Sequence, residues 1–264
     1  MISNADTRMV RLLQLASPTL PVGAYSYSQG LESAVEASVP RDVDTAHKWI
    51  GDVLEYSLGR TEAPLLSRLI DAWSTQADAE VDRWNALVLA SRETSELRGE
   101  TLQMGYSLTK LLLEMEGMDE KAHAHLARME EVSFPAAFAH AAAQWQIPAQ
   151  PALVAYLWAW LENQVMAAVK LVPLGQTDGQ RMLLRLGATL PIVAEKAALI
   201  AEMILADSRR QWRFFRVGTK RNIRGYFDRR DMMDLVFTMK VAPHLHPPLQ
   251  RDCVGIRAII WMSC

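Results

Sequence analysis

Cysteine is nearly missing from this sequence of 264 residues: Cys253 and Cys264 are the two that occur. A disulfide-stapled secreted scaffold is thereby excluded. Long apolar runs are missing too. Glu162, Asn163 and Gln164 interrupt the run after Trp160, and Arg185, Glu195 and Glu202 interrupt the run after Met182. Neither reaches the roughly 18 residues that a membrane-spanning helix needs. No basic segment followed by an apolar stretch opens the sequence, so a cytoplasmic protein is expected. Alternating β-branched stretches are scarce, which argues against sheets. No GxxxxGKS or GxxxxGKT loop, GxGxxG turn or GxSxG elbow is present, so neither common nucleotide-binding device nor a hydrolase nucleophile is expected.

Half of the residues are apolar and 22% are charged, the composition of a folded core rather than of a disordered chain. The formal net charge of -2 hides a split. Residues 1–208 carry 16 Lys+Arg against 26 Asp+Glu, whereas residues 209–264 carry 12 against 4. Such asymmetry marks a tail with a different task or a different origin. We therefore divide the chain into a helical domain, 1–207, and an atypical basic tail, 208–264.

Helical spacing dominates the first part. Val10, Leu12, Leu13 and Leu15 begin a short amphipathic segment, and residues 42–60 form another, capped by Asp44 or Thr45. Pro64 is expected to open a helix to Ser74, followed by helices over 78–97 and 99–115. Pro135 opens one through Trp145, Pro151 opens the longest apolar one through Lys170, and 180–206 makes the last, kinked at Pro191. The expected fold is all-α, a single domain of about eight to ten mostly antiparallel helices. No repeat period suggests a solenoid.

Two connections punctuate this pattern. Ser17 to Glu32 holds two prolines, two tyrosines and two glycines, and predicts an ordered loop leading into a helix near Ser28. Val172 to Gln180 is a second Pro/Gly loop, with Thr177 or Asp178 as the cap of the next helix.

Candidate chemistry is thin. His123 and His125 lie two apart on a helix and point about 200° apart, which suits a solvated polar face better than a shared ion. His244, His246, Cys253 and Cys264 match no zinc module. Glu130 and Glu131 read as an exposed helix end. Lys170 stands out by isolation, being the sole basic residue between Arg128 and Arg181. It shares a helix face with Asn163, seven positions earlier. It serves either as a snorkelling, dipole-compensating helix end or as a charge at an interface or polar channel.

The segment SPTLPVGAYSYSQGLE, Ser17–Glu32, resembles the opening signature of the urease accessory protein family UreF. The resemblance continues through Ser91–Arg98, Gln103–Leu108, Phe134–Phe138 and Leu157–Asn163, and is most specific in AVKLVPLGQ, Ala168–Gln176. It covers about residues 7–207. It implies an all-α assembly factor without catalysis or a cofactor of its own. Such a protein bridges UreD (UreH) and the GTPase UreG on apo-urease, so that nickel and carbon dioxide reach the enzyme. It also implies pairing as a homodimer within that complex, and internal tunnels have been proposed for the family. By the same resemblance, Glu32 and Lys170 fall on the UreG-facing or gating surface. Tyr25, Gln29, Gln176 and Asp178 are further partner-binding candidates.

The tail departs from the family pattern, which usually closes on a UreD-engaging segment resembling HETQYSRLFRS. After Asp207 the sequence instead interleaves arginines with Trp212, Phe214 and Phe215. Three readings stay open: a genuine extension that binds an acidic partner or nucleic acid, a divergent and disordered terminus, or out-of-frame translation. A helical nucleic-acid-binding protein is accordingly the alternative function. A helical enzyme with an unrecognised site is the third.

Overall fold

The computed structural model describes residues 4–92 and 94–201. The expectations for the tail, 208–264, lie outside the described residues. Among the described residues the fold is all-α, with no strand.

Sequence chemistry sets most helix ends. Helix α1 spans Asn4–Ala16 and the short α2 Leu31–Glu36. Helix α3 (Val43–Asp52) starts from a reciprocal cap: the Asp42 carboxylate accepts from the Thr45 amide at 2.8 Å, while the Thr45 hydroxyl accepts from the Asp42 amide at 3.1 Å. The cap is thus Asp42, and Thr45 completes the box from inside the helix. Helix α3 does not stop before Pro64. It continues as π-helix over Val53–Glu62 and enters α4 (Ala63–Ser74) without leaving helical backbone. The widened turn has a cause. Proline cannot donate, and its ring crowds the carbonyl four residues back, a clash that i→i+5 bonding relieves. The Ala63 amide accordingly reaches back to Leu58.

Helices α5 (Asp78–Ala90) and α6 (Ser95–Leu113) meet earlier than the apolar spacing suggests. The Thr94 hydroxyl accepts from the Leu97 amide and fixes the start of α6. Helices α7 (Glu120–Arg128) and α8 (Phe134–Gln144) are capped by Asp119 and Ser133. The longest helix, α9, spans Ala149–Leu171. Helix α10 spans Gln176–Gly187 and is capped by Gly175, so Thr177 and Asp178 lie inside its first turn. A single final helix is not found. Residues 188–189 form a turn, and helix resumes over 190–201. Pro191 sits in the first turn of this last helix, where a missing N–H costs nothing, and it kinks no longer rod.

The core forms where α4, α8 and α9 meet. Helix α4 packs most heavily on α8 and α5 and also touches α9. Seven of the eleven residues of α8 are alanine or proline, which lets α4 approach closely. The buried Trp73 indole donates to the Ala136 carbonyl at 3.1 Å and pins the two helices together. Asn85 of α5 ties down the start of α8. Its amide nitrogen donates to the Glu131 carbonyl at 2.7 Å, and its oxygen accepts from the Ser133 amide at 2.9 Å. Helix α6 passes so close to this segment that a Cβ at Gly105 would lie 2.0 Å from the Val132 carbonyl oxygen. Only glycine fits there.

Candidate partner-binding site

The loop between α1 and α2 is ordered by its own sequence. The Ser17 and Thr19 hydroxyls bond at 2.8 Å, and the Leu20 amide donates to the Ser17 carbonyl. Gly23 (φ +76°) turns the chain into a short 3-10 turn, Ala24–Ser26. Gln29 (φ +51°) and Gly30 (φ +87°) then turn it again, so α2 begins at Leu31 rather than near Ser28. The Leu31 side chain is fully buried and anchors the start of α2. Glu32, next to it, faces out.

Helix α9 forms the opposite wall. Asn163, Met166 and Lys170 follow one another at helical spacing along it and face the loop. Together with Tyr25, Ser26, Tyr27, Ser28 and Glu32 they line a cleft of about 150 Å³. Tyr25 is held 80% exposed at its rim. Among the described residues, neither Glu32 nor Lys170 forms an ion pair. The cleft therefore offers one carboxylate, one ammonium, two phenols and a thioether to whatever covers it.

Three of the six candidates, Tyr25, Glu32 and Lys170, thus meet. The other three do not line this cleft. Gln29 is half-buried behind it, bonded to Glu100 and Trp160. Gln176 is exposed on the first turn of α10, and Asp178 pairs there with Arg181 at 3.1 Å. Sequence reasoning missed Met166, whose apolar neighbours disguise it as core. The seven-residue spacing places Asn163 on the face of Lys170 but leaves it without a role of its own.

Behind the cleft lies a polar group with no signature in sequence. Arg92 pairs with Glu62, which also accepts from the Tyr156 hydroxyl. Arg92 donates further to the Thr101 hydroxyl at 3.3 Å. Burial works against the Arg92 guanidinium, but Glu62, Tyr156 and Glu100 together outweigh it and hold the pKa above its ordinary value. Burial, with Glu62 second, pushes the Tyr156 phenol well up. Burial also raises the Glu100 carboxyl, opposed by its bond from Gln29 and by Arg92. These positions come from the π stretch, the α5–α6 turn, α6 and α9, and only tertiary packing joins them.

A histidine group lies apart, around Trp73. His125 is not on a solvated face. It is 8% exposed, with Nε2 3.0 Å from the Asp82 carboxylate, because α7 folds back toward α5. His140 is fully buried against Trp73, the ring centroids 4.6 Å apart, and neither of its nitrogens has a partner in the protein. Burial, with His123 nearby, lowers its pKa to about 4. Among the described residues no three His, Cys, Asp or Glu side chains are placed to share a metal ion. No described helix is long and apolar enough to cross a membrane.

Comparison with known proteins places these elements in context. The profile of the UreF family matches residues 41–187. A urease accessory protein UreF of Azoarcus sp. (strain BH72) is 54% identical over 220 residues, covering 79% of this chain and 94% of the relative. One from Dechloromonas aromatica (strain RCB) is 51% identical over 191 residues, covering 72% and 84%. A bifunctional urease accessory protein UreEF of Bordetella bronchiseptica is 46% identical over 190 residues, covering 72% of this chain and 44% of the longer relative.

Proposed function

The chain belongs to the UreF family of urease accessory proteins, and from that premise we propose that it works as a non-catalytic adaptor in urease maturation. In this reading it joins UreD (UreH) to the GTPase UreG on apo-urease in the cytoplasm, paired as a homodimer, so that nickel is inserted. Nickel and GTP are handled by the partners.

One observation carries the reading. Tyr25 and Glu32, from the N-terminal signature, and Lys170, from the AVKLVPLGQ segment, converge on a single cleft although they lie far apart in the chain. A carboxylate and an ammonium left uncompensated at a half-open surface steer and register a charged partner more than they add raw affinity. Gln176 and Asp178, on α10, extend the candidate surface beyond the cleft.

The test is reconstitution of urease with its full set of accessory proteins, with this chain as wild type or as Lys170→Ala. The expected outcome is a folded variant that lowers both urease activity and the nickel content of the enzyme. Normal nickel loading by the variant would overturn the assignment of Lys170.

A further inference from the structure

Gln29 is a non-glycine residue with φ +51°, a backbone state that persists only where the surroundings hold it. Both ends of its side-chain amide are occupied. The Trp160 indole can only donate, so it fixes the Gln29 oxygen as acceptor and turns the amide nitrogen toward the Glu100 carboxylate. Each contact is 2.5 Å. Three residues along α9 from Trp160, the Asn163 amide nitrogen donates to the carbonyls of both Ala24 and Tyr27, each at 3.0 Å. One turn of α9 therefore grips the loop at 24, 27 and 29. The same helix then continues to Met166 and Lys170, the far wall of the cleft.

We infer that Gln29 and Asn163 are positioning residues: they latch the loop onto α9 so that Tyr25 and Glu32 stand at a fixed place opposite Lys170 before any partner arrives. This inference rests on the reading of the cleft as the partner surface. Gln29 then touches no partner, despite its place in the signature. A loop ordered in advance loses little further freedom on binding, so the latch contributes to affinity without a contact of its own.

The chemistry supplies a matched pair of variants. Gln29→Glu places two carboxylates face to face and removes the donor. Adding Glu100→Gln exchanges acid and amide. The carboxylate at position 29 would then accept from both the Trp160 indole and the new amide at position 100, and every bond of the latch returns. Two measurements on the full chain decide the matter. The first is amide hydrogen exchange over 23–31 in the absence of partners. The second is capture of UreD and UreG. Gln29→Glu is expected to speed exchange over 23–31 at least tenfold with α9 unchanged, and to weaken capture several-fold, and the double exchange is expected to restore both. The loss on capture should not add to that of Lys170→Ala, because both act through one surface.

Unchanged exchange in Gln29→Glu overturns the latch. Faster exchange with undiminished capture overturns its role in positioning. If instead the loop loosens while Lys170→Ala and Glu32→Ala also leave capture intact, the cleft reading fails and the latch is left as a feature of the fold only. Should Gln29→Glu not fold, Asn163→Ala removes the second grip from the cleft side and is read by the same two measurements.

Discussion

Asn163 and Lys170 stand seven residues apart on α9 and face the same cleft with different duties. Asn163 commits its amide to two backbone carbonyls of the loop, each at 3.0 Å, whereas Lys170 forms no ion pair among the described residues. Substitutions at the two positions should therefore fail in different ways. Lys170→Ala is expected to melt within a degree or two of wild type, since a surface lysine without an ion-pair partner contributes little. Asn163→Ala should lower stability by about 1–2 kcal/mol through the two carbonyls it strands. Denaturant titration of both variants separates them.

Close approach of α6 to the start of α8 makes Gly105 sensitive. A methyl group 2.0 Å from a carbonyl oxygen forces the backbones apart. Gly105→Ala is expected to destabilise by about 3 kcal/mol, despite the higher helix propensity of alanine. A drop of less than ~0.5 kcal/mol in urea unfolding would mean that the two segments separate freely.

His140 should give stability a dependence on pH. Its folded pKa of about 4 lies below the ordinary 6.5, so the unfolded chain binds the proton more tightly. The stability tied to this group is complete above pH 6.5 and is lost as pH falls toward 4, to a total of about 3 kcal/mol. His123 and His125 act in the same sense on His140 and Asp119 opposes them. His140→Leu is expected to flatten this part of the curve while leaving stability at pH 7.5 within about 1 kcal/mol. Thermal melts at pH 7.5, 6.0 and 5.0 check it, and an unchanged slope in the variant would contradict it.

Asn85 is a small residue with a large expected effect. Removing it in Asn85→Ala leaves the buried Ser133 amide and the Glu131 carbonyl without their partner. The expected cost is about 2 kcal/mol, and exchange at the Ser133 amide should rise with it.

Much of this architecture can be read from spacing. The faces of α4, α8 and α9, the prolines in first turns and the two Pro/Gly loops are local patterns, and local chemistry carries them into the fold. The seven-residue step from Asn163 to Lys170 by itself puts both on one side of a helix. What spacing leaves hidden is what tertiary contact creates. Glu62, Arg92 and Tyr156 have no periodic relation, and His125 is buried where Trp73 of α4 and Asp78 and Asp82 of α5 come to it. The π stretch before Pro64 replaces the expected break because a widened turn accommodates the ring. The site divides along the same line: the motif segments contain Tyr25, Glu32 and Lys170, but that Gln29 faces inward follows from Trp160 and Glu100, far away in sequence.

Capture of UreD and UreG by the full chain, compared with the charge-exchanged variant Glu32→Lys/Lys170→Glu, bears most directly on the role of the cleft. The variant is expected to fold as the wild type does, and capture is expected to fall at least tenfold, with the remaining binding less sensitive to salt. Capture of both at wild-type strength, with an unchanged salt dependence, would contradict the claim that this cleft is where a partner docks.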